Sequence, residues 1–142
     1  MSSLKTIIRL HKWRLDEKRR ALAELQNLAD RLKAEIEKVK AEMAAEQATA
    51  RANFDVAFSY AGFAQAALER GRKLAESLVQ VEAQVAVATD EMAQAFQEVK
   101  RYELAEEERQ KRENEKRRQK DNLLLDETAL VGFLRRKEEN GG

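Results

Sequence analysis

Apolar residues recur through the first fifty positions at alternating spacings of four and three. The series is Leu4, Ile8, His11, Leu15, Lys18, Leu22, Leu25, Ala29, Leu32, Ile36, Val39, Met43, Glu46 and Ala50, and eleven of its fourteen members are apolar. Its mean spacing of about 3.5 residues is the period of a left-handed coiled-coil seam. A second series has the same alternation: Ala57, Tyr60, Ala64, Ala67, Gly71, Leu74, Leu78, Val81, Val85, Ala88, Met92, Ala95, Val99 and Tyr102, none of them charged. Lys, Arg, Glu and Gln crowd the positions beside the first seam, as solvated faces require. Two seams of equal length in one chain predict that they face each other.

In an antiparallel hairpin, facing residues have numbers with a constant sum. Leu32 with Leu78, Ile36 with Leu74, Leu25 with Val85, Leu15 with Ala95 and Ile8 with Tyr102 all give 110. The seam frame alone also permits 103 or 117, because a slip of one heptad preserves it. A sum of 110 centres the turn on Asp55, within Ala52-Asn53-Phe54-Asp55-Val56. There Asn53 and Asp55 can cap the following helix through their side-chain oxygens. The layers Glu46 with Ala64, Lys18 with Met92 and His11 with Val99 are imperfect, and polar seam positions of this kind can fix register at a cost in stability. The expectation is an all-α fold: a single antiparallel coiled-coil hairpin domain over residues 1–142, with a longer second helix. Its first helix covers about 3–52, the turn about 53–56, the second helix about 57–137, and a flexible tail 138–142.

Composition agrees. The 142 residues include no proline, no cysteine and five glycines; 37% are charged and 6% aromatic. So few turn-forming residues argue against an all-β domain, and so much charge cannot be housed inside a small globule. The absence of cysteine removes disulfides, thiolate metal sites and cysteine nucleophiles. No apolar run approaches the roughly 18 residues of a membrane span, and no secretory leader is evident. A soluble cytoplasmic protein is expected.

Seam pairing runs out near Leu4 opposite Glu106. From Lys100 to Asn122 the chain holds nine basic and seven acidic residues. Glu107–Lys111, Glu108–Arg112 and Glu113–Arg117 stand four apart, acid before base, each adding about 0.2–0.5 kcal/mol to an exposed helix. A solvated helix is the plain reading, since interleaved acids would repel nucleic-acid phosphates. Beyond it, eight of the twelve residues Leu123–Leu134 are large apolar residues or alanine. A hairpin leaves them uncovered, on an overhang (107–137) of roughly 45 Å, and such a cluster is a candidate interface. The alternatives are that it folds back or pairs with a second copy.

Charge is uneven. Residues 1–20 carry seven basic and two acidic residues, net +5; residues 21–99 carry eight and thirteen, net −5. The expected terminus-bearing end is thus basic and the turn end acidic, which distinguishes two docking surfaces. Phe54, Phe58, Tyr60 and Phe63 cluster at the turn end, as a hydrophobic cap or a contact for another protein. Trp13 lies off the seam beside Arg9, Lys12 and Arg14, placed either for cation–π packing or to anchor a partner.

Catalytic chemistry is missing. His11 is the lone histidine and sits on the seam, too few nitrogen ligands for zinc. Gly62 and Gly71 make no phosphate loop. A two-helix pair offers no concave site to perturb a glutamate. Neither an enzyme nor a cofactor is expected.

The segment Leu10-His11-Lys12-Trp13-Arg14-Leu15-Asp16-Glu17-Lys18-Arg19-Arg20, with Phe58-Ser59-Tyr60-Ala61 and Leu125-Asp126-Glu127, resembles the FliJ family of bacterial flagellar export proteins over nearly the whole chain. The resemblance implies a soluble part of the flagellar type III export apparatus with a fold like the paired-helix stalk of rotary ATPases. Its implied partners are the hexameric export ATPase, the export-gate membrane protein and export chaperones. The implied location is cytoplasmic, at the inner membrane through the apparatus. Carried onto this chain, the ATPase-facing candidates are Arg9, Trp13, Arg14, Leu130, Phe133, Leu134, Arg135 and Arg136. The gate- or substrate-facing candidates are Phe54, Phe58 and Phe63. A general export chaperone or adaptor, and a purely structural coiled coil, are the alternative functions.

Overall fold

The computed structural model describes Ser3–Ala52 and Phe54–Gly141, with side chains for all of these except residues 54–58. Both segments are helical: α1 is Ser3–Ala52, 50 residues, and α2 is Phe54–Gly141, 88 residues. Among the described residues there is no strand, and the two helices pack as a hairpin with the second longer, as the seams predict. The capping roles expected of Asn53 and Asp55 lie outside the described residues. α2 takes in residues 54–56, assigned by the pattern to the turn, and 138–141, assigned to the tail. No proline or interior glycine interrupts residues 133–140, and extending a helix already formed costs little.

The chain divides into two compact units, Leu10–Gln97 and Met1–Arg9 with Glu98–Gly142. In the Leu10–Gln97 unit the buried apolar residues are Leu15, Leu22, Ala29 and Val39 on α1 and Ala67, Val81 and Ala88 on α2. All seven are seam positions. A Cβ built on Gly71 would lie 3.7 Å from Val39 Cγ1, and those two numbers add to 110. In that register Leu22 faces Ala88 and Ala29 faces Val81, large against small, which lets facing layers interdigitate. Each buried leucine contributes about 1.5–3 kcal/mol.

Among the described residues, ion pairs that join the helices of this unit are Lys18–Glu91 at 2.9 Å, Arg70–Glu42 at 3.0 Å and Lys33–Glu82 at 3.8 Å. Their side chains are roughly half exposed, so each is worth at most about 1 kcal/mol. Their value is in register, since a heptad slip would separate all three. Lys18 and Glu46, both on the sequence seam, are exposed. Lys18 delivers its ammonium to Glu91 across the helix pair, within the reach of a long cationic side chain.

In the other unit, Val99 and Glu106 are buried and Leu4, Ile7, Ile8, Tyr102 and Glu103 are half-buried. From residue 107 to 141 every residue is exposed except the half-buried Gly132. The apolar segment 123–134 is therefore not folded back.

Candidate partner-binding surface

The overhang begins as a charge-stapled helix. Lys111 meets Glu107 at 3.7 Å and Arg112 meets Glu108 at 3.6 Å, two of the three expected pairs. Glu113 reaches back to Arg109 at 3.2 Å, where the spacing had suggested Arg117. These exposed pairs support the helix by tenths of a kcal/mol each.

Glu106 differs in being buried. Arg109 clasps it with two parallel bonds, Nε donating to Oε2 at 3.0 Å and Nη2 to Oε1 at 2.9 Å, and Gln110 Nε2 donates to Oε1 at 3.3 Å. This fork geometry is the strong form of the Arg–carboxylate pair. The hydrogen bonds from Arg109 outweigh burial and hold the Glu106 carboxyl below its ordinary range; the Arg109 charge, Gln110 and the Lys5 charge act in the same direction. A depressed carboxyl stabilises the fold above its unfolded-state pKa of about 4.3. That stabilisation is lost as pH falls through the lower folded value. Glu106→Gln is accordingly expected to melt below the parent at pH 7, with the gap closing below about pH 4. Thermal melts across pH 2–7 check this, and a gap that persists unchanged in acid would contradict it.

Further along α2, Leu123, Leu124, Leu125, Leu130, Val131, Phe133 and Leu134 are 49–66% exposed. Phe133 forms one side of an open groove of about 550 Å³ with Arg136, Lys137, Asn140 and Gly141. Arg135 and Arg136 are exposed, and among the described residues neither has an ion-pair partner. Five of the eight ATPase-facing candidates thus share one helical stretch that is apolar and basic, and Arg9 belongs to the same unit. Trp13 and Arg14 belong to the Leu10–Gln97 unit. Trp13 is 55% exposed, and among the described residues it has no cation–π contact; that geometry occurs at Arg101 over Tyr102, 5.6 Å from the ring centre.

Of the tip candidates, Phe63 is half-buried, while the side chains of Phe54 and Phe58 lie outside the described residues. The seam pattern left unmarked an apolar groove of about 400 Å³ in the Leu10–Gln97 unit, lined by Ala21, Leu25, Ala83 and Val87 among others. Its only sequence signal is a set of small residues flanking a seam. Among the described residues no helix is long and apolar enough to cross a membrane.

These features define a class: a two-helix coiled coil that keeps its core modest and carries exposed apolar and basic surface on the longer helix. The family model for the flagellar FliJ protein matches residues 1–138. The chain therefore belongs to the FliJ family and is a component of the flagellar export apparatus. No curated protein and no solved structure matches it.

Proposed function

We propose that the chain is the coiled-coil stalk of the export machinery, binding the hexameric export ATPase and coupling it to the export gate at the inner membrane. The observation that carries this reading is the exposed run of leucines and Phe133 on α2, with two arginines that have no ion-pair partner among the described residues. Aromatic and arginine side chains are the residues that anchor protein interfaces. Leu130, Phe133, Leu134, Arg135 and Arg136 are the assigned ATPase contacts, joined by Arg9, Trp13 and Arg14. Phe54, Phe58 and Phe63 are the assigned contacts for the gate or for exported substrates, and export chaperones are further partners.

One helix cannot touch six identical subunits equally. Its contacts favour one conformation in some subunits over others, which is a coupling free energy between the stalk contact and the nucleotide sites. The test is turnover. Adding the purified chain to the purified export ATPase is expected to raise its hydrolysis rate, saturating with chain concentration. An unchanged rate together with no co-sedimentation would overturn the proposal.

A further inference from the structure

The four-three alternation of the α2 seam does not stop where α1 stops. Past Tyr102 and Glu106 the next positions on that line are Arg109, Glu113, Lys116, Lys120, Leu123, Glu127, Leu130 and Leu134. The line therefore changes character twice. It is apolar as far as Tyr102 and ends its covered part at Glu106, is mainly basic over 109–120, and is mainly leucine over 123–134.

The basic stretch is less self-neutralised than its composition suggests. Arg109 is committed to Glu106 and Glu113, which also silences the acid at 113. Among the described residues, Lys116 and Lys120 have no ion-pair partner. Arg112 lies beside them on the same face, one turn from Lys116. At the start of the stretch, Leu4 of α1 and Ala105, Arg109, Arg112, Glu113 and Lys116 of α2 line an open groove of about 450 Å³. That groove is the open end of the α1–α2 interface.

We propose that the seam line 109–134 seats a partner helix of defined chemistry: amphipathic, with Asp or Glu facing Lys116 and Lys120, and leucine-like residues facing Leu123, Leu130 and Leu134. This rests on the reading of the overhang as a protein contact, and it names what that contact recognises. Two features favour such an occupant over a generic apolar one. The site continues an interface that already takes a helix along the same line. Its lysines would also repel a basic helix. A second copy of this chain laid parallel in the same register fits poorly, because it lines up lysines with lysines.

The test uses the full chain and two synthetic peptides of about 28 residues, four heptads. Each has leucine on its seam in one half. In the other half one peptide carries glutamate and its control carries lysine. Fluorescence anisotropy at about 0.1 M salt is expected to show tighter binding of the glutamate peptide by at least roughly tenfold, with the preference shrinking in high salt. Lys116→Glu with Lys120→Glu, both on exposed positions, should reverse the preference. Equal binding of both peptides, no binding of either, or a chain that sediments as a dimer and excludes them would each overturn the inference. ATPase stimulation is read separately. A chain that prefers the acidic peptide but does not stimulate the ATPase sinks only the stalk reading, and one that stimulates without the preference sinks only this inference.

Discussion

Ending the chain at Asn122 is expected to abolish stimulation of the export ATPase and leave the hairpin standing. The missing piece contains the exposed Leu123, Leu130, Val131, Phe133 and Leu134 and, apart from the half-buried Gly132, nothing that is covered within its unit. Its loss removes helix, and hence ellipticity, from 123–141 alone, and the thermal midpoint should barely move. Binding should respond differently. Burying Leu130, Phe133 and Leu134 against a partner is worth about 1.5–3 kcal/mol each. Losing all three forfeits at least about 4 kcal/mol, or roughly a thousandfold in affinity. The measurement is ATPase turnover against chain concentration, with circular dichroism on the same samples. Full stimulation by the truncated chain would place the contact elsewhere, at Trp13 and Arg14 or at the tip.

The hairpin was legible in the sequence because its information is periodic. A four-three series with eleven of fourteen apolar members has few explanations, and two such series of equal length leave one simple arrangement. Register was legible because facing seam positions keep a constant sum, and Val39 against Gly71 keeps that sum. Lys18 was misplaced because a seam assignment counts Cα positions, whereas a lysine side chain is long enough to leave the seam and reach Glu91. The Glu113 pairing was missed for a related reason. Arg109 and Arg117 both lie four residues from Glu113, and spacing alone cannot choose between them. Arg109 had already been drawn to that face by Glu106. The burial of Glu106 was only half visible, since seam pairing was expected to run out there and instead ends in an Arg-clasped carboxylate. The surface at 123–134 stood out as an apolar run with nothing left to cover it. Which molecule covers it is a property of two surfaces, and one sequence contains only one of them.

Leu22→Asp is expected to unfold the Leu10–Gln97 unit at ordinary temperature. Leu22 is 8% exposed and sits in a layer whose register partner is Ala88. Removing its buried methyl groups costs about 2–5 kcal/mol by itself. A carboxylate in the same place must also shed water without gaining a partner, because the facing residue is an alanine. Together the two terms reach the lower end of the total stability of a small domain, about 5–15 kcal/mol. A two-helix pair is poorly placed to absorb that loss, since among the described residues no side chain is below 2% exposed. Its stability is spread over many thin layers, and one failed layer lets the helices part on both sides. Leu68→Asp is the matched control: the same chemical change in the same unit, at a leucine 62% exposed. It should cost no more than about 1 kcal/mol, mostly helix propensity. Urea melts followed at 222 nm separate the two. Similar midpoints for the two variants would mean that Leu22 is not in the core and that the seam register is wrong.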